Sequence, residues 1–182
     1  MTRPPCFKPD RATSAAQSAP MAFAHAPSPL GRILLAANQR GVCFISIGSD
    51  PRTLEQELQD RYPRQTLSAA NPQCASWLAQ LILQIDSPAP AVDLPLDLCG
   101  TDFQLRVWQA LRLIPRGQTV SYGELARRIG APRAIRAVAS ACAANTLALA
   151  IPCHRVLRAD GALAGYRWGI ARKGELLQRE QA

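Results

Sequence analysis

Ser121-Tyr-Gly-Glu-Leu-Ala-Arg-Arg-Ile-Gly130-Ala-Pro-Arg-Ala-Ile-Arg136-Ala-Val-Ala-Ser-Ala-Cys-Ala-Ala144 is the segment that decides how the second half of this chain is read. Ser121 is an N-cap residue, and Glu124 three positions later has the spacing of a capping box. Gly130-Ala131-Pro132 breaks the helix that follows. A second helix is predicted from Pro132 to Ala144, with Arg133 and Arg136 near its start. Two short helices joined by a glycine-containing turn form a candidate helix-turn-helix. The second helix is built almost entirely of small side chains, which lets another surface approach closely. That surface is either a neighbouring helix or a narrow groove of about 6 Å, the width of the DNA minor groove.

Working upstream, Thr101 or Asp102 can cap a helix carrying Phe103, Val107, Trp108 and Leu111. Val92 to Leu98 reads as a short strand, and Ser87-Pro-Ala-Pro before it as a breaker. Asn71-Pro72 starts a helix whose apolar stripe is Trp77, Leu78, Leu81 and Ile82, and Pro51 to Arg61 is a second amphipathic helix. Gly31 to Ala37 and Gly41 to Ile47 are strands around an Asn38–Gly41 turn. Residues 1–26, rich in Pro, Ala and Ser, read as a disordered tail. The predicted class is α+β. A small α/β domain with an antiparallel sheet spans 27–98, and a mostly helical domain with the helix-turn-helix spans 99–182.

Charge follows the same division. Residues 1–100 carry 8 Lys and Arg against 8 Asp and Glu, whereas residues 101–182 carry 13 against 5 and hold the entire net charge of +8. Twelve of those 13 cations are arginines. A basic half behind a neutral one points to a polyanionic partner, most simply nucleic acid. Six cysteines occur with no CxxC pair, and nothing at the N-terminus has the form of a signal peptide or a membrane span, so a reducing compartment is expected. Cys6, His25 and Cys43 are too sparse to suggest a metal site.

The chemistry is carried by Ile151-Pro152-Cys153-His154-Arg155-Val156. A cysteine beside histidine and arginine can be poised as a thiolate, the nucleophilic form. From a free pKa near 8.5, a drop of roughly two units would ionise most of it at neutral pH. Adjacent side chains seldom meet in good hydrogen-bond geometry, so His154 is expected to act on Cys153 through a water. A carboxylate should orient the far ring nitrogen. Asp160, Glu175 and Glu180 are the downstream candidates, and the sequence does not choose among them.

From Gly100 to Glu180 these pieces fall into one pattern: Gly100-Thr-Asp-Phe-Gln, Val107-Trp108, Ile114-Pro115, Ser121-Tyr122, Arg136-Ala-Val, Asn145, Pro152-Cys-His-Arg-Val, Gly165-Tyr166 and Lys173 to Glu180. The pattern resembles the O6-alkylguanine-DNA alkyltransferases, also called methylated-DNA–protein-cysteine methyltransferases. The wording Arg136-Ala-Val-Ala-Ser-Ala-Cys-Ala-Ala-Asn and Gly165-Tyr-Arg-Trp-Gly is most similar to the C-terminal repair half of the bacterial Ada proteins. The resemblance reaches more loosely back to about Pro29 and implies a ribonuclease H-like N-terminal domain.

That resemblance implies direct repair of O6-methylguanine, with O4-methylthymine as a further substrate, by one irreversible methyl transfer to Cys153. It implies His154 as base through water, Glu180 orienting it, Asn145 bracing the cysteine turn and Tyr122 donating to guanine. Arg136 would fill the duplex where the base is flipped out. Ala134, Ala137, Ser140 and Ala141 would face DNA, and Val156, Tyr166 and Arg167 would line the base pocket. The resemblance further implies no cofactor and no metal, double-stranded DNA bound through its minor groove, no membrane, a monomer, and a cytoplasmic, nucleoid-associated location. Ala164, where many relatives have Gly, is expected to narrow the pocket. With no room for Ada's zinc and activator domains before the first strand, repair without their regulatory role is expected.

Overall fold

The computed structural model describes residues 20–87 and 92–181. Three hairpin-connected strands open the fold: β1 (Met21–Ser28), β2 (Gly31–Asn38) and β3 (Gly41–Gly48). Then come α1 (Pro51–Arg61), β4 (Leu67–Ser68) and α2 (Pro72–Asp86). The sheet order is β3-β2-β1-β4, antiparallel except for a parallel β1–β4 pair. The second half holds α3 (Asp102–Arg112), β5 (Val120–Ser121), α4 (Tyr122–Arg128), α5 (Ile135–Ala143), a 3₁₀ turn (Cys153–Arg155), β6 (Val156–Leu157) and α6 (Ile170–Gln181).

The sheet is covered on both faces. Met21, Phe23, Leu34, Ala36, Phe44, Leu54 and Leu58 pack one face against α1. The other face joins α2 and the C-terminal helices in one continuous core, which includes Ile33, Ile45, Leu78, Trp108, Leu111, Leu125, Val138 and Leu176. The β2–β3 turn needs Gly41: it sits at φ +141°, and a Cβ there would lie 2.2 Å from the Pro95 carbonyl oxygen.

β1 corrects the expectation of a tail through residue 26, since the chain is extended and paired from Met21. Alanines and Pro27 hide the strand because both are poor strand formers. It forms because Met21 and Phe23 bury against α1 and because β2 supplies a full ladder. The rest of the expected tail, residues 1–19, lies outside the described residues. Val92 to Leu98 is not a full strand either: it makes a single parallel bridge, Leu96 to Val42, and so only covers part of the β3 edge.

Two other local expectations shift. Ser121 caps α4, its hydroxyl accepting from Glu124 N, but the Glu124 carboxylate turns outward to Arg127 and Arg128, so no capping box closes. The box is instead at α3, where Thr101 and Gln104 satisfy each other's backbone N–H. The second helix of the pair starts at Ile135 rather than Pro132, with no side-chain cap at Ala134. Arg116 fixes the far end of the molecule: its guanidinium donates to the carbonyls of Gln84 and Ile85 in α2 and of Arg179 in α6. One cation thus satisfies carbonyls that the last turns of two helices leave free.

Candidate active site

Cys153 opens a one-turn 3₁₀ helix directly after Pro152 and is 5% exposed. Asn145, fully buried, braces the segment before it. Its Oδ1 accepts from Leu147 N at 2.9 Å, and its Nδ2 faces the Ile151 carbonyl at 3.0 Å and the Cys153 sulfur at 3.3 Å. The same segment adds a parallel bridge to the sheet: Ile45 N donates to the Thr146 carbonyl and Ala148 N to the Ile45 carbonyl. Leu149, in this segment, sits at φ +67°. A non-glycine residue in that region persists only where its surroundings over-determine it, as the Asn145 and Ile45 bonds do here.

Of the three carboxylates left open by the sequence, the structure selects Glu180. Its Oε1 lies 2.8 Å from His154 Nε2, and both side chains are almost fully buried. Arg155 holds the same carboxylate through Nε and Nη2, and Gly117 N donates to it as well. Burial alone would raise the Glu180 pKa, but these bonds outweigh it and hold the acid down to about 2. Glu175 is occupied by Arg179, and Asp160 lies on an exposed turn beside Arg158.

An ionised Glu180 fixes the imidazole. The carboxylate only accepts, so Nε2 carries the hydrogen and Nδ1 of the neutral ring is the bare acceptor. Burial pushes the His154 pKa below its usual value, against the pull of Glu180, and favours that neutral form. Among the described residues, two buried side-chain polar atoms have no hydrogen-bond partner: His154 Nδ1 and the Tyr166 hydroxyl. The two rings meet edge to face at 6.4 Å. Tyr122 opens α4, half-buried, and its pKa rises to about 12, through burial first and then the Cys142 and Cys153 thiols.

The resting state of the sulfur differs from the sequence expectation. Burial raises the Cys153 pKa to about 11; the Asn145 amide and the Lys173 ammonium only partly offset it. Cys153 is a neutral thiol at rest, and adjacency to His154 and Arg155 does not ionise it, because both of those side chains point to Glu180. Lys173, for which the sequence suggested no role, is fully buried and donates to the Val156 carbonyl at 2.5 Å. Burial lowers its pKa, and the thiols of Cys153 and Cys142 oppose that shift.

The helix pair α4–α5 presents Arg136, Ala137 and Ser140 to solvent, with Ala134 half-buried. Ala141 does not join them. It is 2% exposed, and its carbonyl accepts from Trp108 Nε1, so the expectation that it faces DNA is wrong. With Val138 and Cys142 it forms the inward i, i+3, i+4 stripe of α5, while Ala143 is exposed. Val156 is in the core, Tyr166 is partly buried near His154, and Arg167 is exposed, lining a separate 250 Å³ pocket above α1. A cavity of about 340 Å³ is lined by His154 and Glu180 together with Leu81, Leu94 and Arg112. No group of His, Cys, Asp and Glu among the described residues could hold a metal ion, and no described helix is long and apolar enough to cross a membrane.

A buried thiol backed by a histidine–carboxylate pair, beside a helix-turn-helix with an arginine-bearing outer face, defines a class of cysteine acceptor set against a nucleic-acid surface. Comparison with known proteins narrows it. Residues 102–182 match the family described as 6-O-methylguanine DNA methyltransferase, DNA binding domain, and residues 21–87 match its ribonuclease-like domain. The Escherichia coli bifunctional transcriptional activator/DNA repair enzyme Ada is 51% identical over 87% of this chain, which spans 45% of that protein. The methylated-DNA–protein-cysteine methyltransferase of Mycobacterium tuberculosis H37Rv is 43% identical over 85% of this chain and 89% of its own. A crystal structure of Mycobacterium tuberculosis OGT in complex with DNA superimposes with a TM-score of 0.72 and 38% identity, covering 88% of this chain and 92% of that one. The chain belongs to the methylated-DNA–protein-cysteine methyltransferase family.

Proposed function

We propose that this protein repairs O6-methylguanine in DNA by transferring the methyl group to Cys153. The observation that carries the reading is the juxtaposition of a buried cysteine with a histidine whose Nδ1 is left bare by an ionised Glu180. The sulfur forms a bond to the methyl carbon while the carbon–O6 bond breaks. The thiol proton leaves through a water to His154 Nδ1, and guanine departs as the neutral base once it gains a proton at the ring. Tyr122 is the residue to which we assign the donation to that base. The product is a thioether, a poor leaving group, so each molecule reacts once.

A thiol with pKa about 11 is almost wholly protonated at neutral pH. Activation therefore belongs to the bound state, in which the proton moves to the imidazole as the carbon arrives, rather than to a standing thiolate. DNA is the partner, and the exposed small face of α5 suits a narrow groove. We read that groove as the minor groove, with Arg136 entering where the damaged base is extruded. The protein acts as a monomer, in the cytoplasm and at the nucleoid. The two orphaned polar atoms, His154 Nδ1 and Tyr166 Oη, are the groups a flipped base and its water would satisfy.

The test is intact mass after incubation with duplex DNA carrying one O6-methylguanine. The expected result is a gain of one methylene mass localised to Cys153, at one equivalent per protein, and no gain in Cys153→Ala. Multiple demethylated duplexes per protein molecule, or release of an acyl product from a thioester probe, would sink the reading.

A further inference from the structure

Two consecutive residues of β3 reach both chain segments that flank the sulfur. Ile45 pairs its backbone with Thr146 and Ala148, in the segment that leads to Cys153. Ser46, 1% exposed, accepts a hydrogen bond from Trp168 Nε1 at 3.1 Å and donates its own hydroxyl hydrogen to Glu57 Oε2 at 2.7 Å. Trp168 packs on Tyr166 with ring centroids 5.0 Å apart, and Tyr166 in turn meets His154 edge to face. Arg172 secures the same turn by donating to the carbonyls of Trp168 and of Leu30.

The geometry points to Ser46 as a positioning residue for the alkyl-acceptor pocket, acting through Trp168 on Tyr166. A serine hydroxyl inside a sheet-forming strand has no local need for a partner 122 positions away. Yet its lone pair and its hydrogen are both used, and the indole it holds has no other polar handle. Tyr166 lacks a hydrogen-bond partner for its own hydroxyl, so its ring is placed by packing, against Trp168 on one side and His154 on the other. Loss of the Ser46 hydroxyl leaves a buried indole N–H unsatisfied and frees the turn that carries the pocket tyrosine. Transfer is sensitive to such shifts, because a misplacement of about 1 Å costs on the order of 100-fold.

This inference rests on the methyl-transfer reading, and its test separates the two. Ser46→Ala, Ser46→Thr and Phe23→Leu are compared with wild type in three measurements. The first is the single-turnover transfer rate at saturating O6-methylguanine duplex, and the second is affinity for undamaged duplex. The third is the indole N–H spectrum of ¹⁵N-tryptophan-labelled protein, with the Trp168 signal assigned from Trp168→Phe. The expected result for Ser46→Ala is a rate reduced about 10-fold, unchanged duplex affinity and a displaced, faster-exchanging Trp168 signal. Ser46→Thr, which keeps the hydroxyl, should return the rate to within about twofold of wild type. Phe23→Leu, in the same α1-side core but on β1 and away from the Ser46 pairing, should lower stability while leaving rate and indole signal alone. An unchanged rate in Ser46→Ala despite a moved indole signal overturns the proposal, as does an equal rate loss in Phe23→Leu. Absence of any transfer by wild type would defeat the repair reading instead, and the indole signal would still report on the Ser46–Trp168 bond.

Discussion

His154 shows how one carboxylate sets the chemistry of a neighbour. Its folded pKa lies below its ordinary value through burial, so the ring stays a neutral base to more acid pH than a free histidine. The transfer rate should therefore hold steady from about pH 8 down to about 6.5 and fall only below that. A quenched single-turnover series checks this, and a rate that halves near pH 7.5 would count against His154 as the base. Asn145 carries a structural load at the same site. Asn145→Ala removes the acceptor of Leu147 N and the donor facing Ile151 and the sulfur. Each abandoned buried group costs about 1–3 kcal/mol, so urea unfolding should show a loss of about 3 kcal/mol or more. Cys153 and His154 stood out in the sequence because chemistry restricts which side chains can serve, whereas Glu180 was one of three carboxylates by chemistry alone and came forward only through the family resemblance. The ionisation state of the thiol was not legible, because adjacency along a chain says nothing about burial. His154 and Arg155, the two neighbours expected to activate it, are both committed to Glu180.

At the scale of elements, α5 separates a face that meets solvent from one that meets the core. Ala137→Leu adds bulk to the exposed side and should cut duplex affinity while changing stability by no more than about 0.5 kcal/mol. Ala141→Leu adds the same bulk to the packed side and should cost about 1–3 kcal/mol. Thermal melts and fluorescence anisotropy on one duplex distinguish the pair. The helices themselves were readable: α1 runs over the Pro51–Arg61 span read from its apolar spacing, and α3 starts where Thr101 allows. The inward stripe of α5 was not, because alanine stands on both faces, exposed at 137 and 143 and buried at 141, so residue type does not tell the faces apart. β1 escaped for a related reason. Its alanines acquire strand character only from the partner strand and from the helix that covers Met21 and Phe23.

For the molecule as a whole, stability and reactivity share one buried ion cluster. The Glu180 pKa of about 2 lies below the carboxylate's ordinary 4.5, so its contribution is present above about pH 4.5 and is lost as pH falls through about 2. His154 has the same sign: its depressed folded pKa favours the folded state above about 6.5 and that preference is lost on acidification. Stability should therefore fall in two stages, below about pH 6.5 and again below about 4.5. Glu180→Gln should flatten the second stage, as read by urea midpoints across pH. A continuous core joins the two halves in packing, a fact no window of sequence contains. Strand residues Ile33, Ile45 and Ile47 share that core with helices α2 to α6, the first of which begins 25 or more positions later.

The placement of Glu180 has one more consequence. It sits in the final turn of α6, where helices ordinarily unwind and rewind at little energetic expense. Here such breathing would strand the imidazole without its anchor, and the Arg116 guanidinium gripping the Arg179 carbonyl acts as the rivet against it. Amide hydrogens around Arg179 should accordingly exchange with deuterium far more slowly than a terminal turn warrants, and Arg116→Ala should let them go while the sheet stays closed.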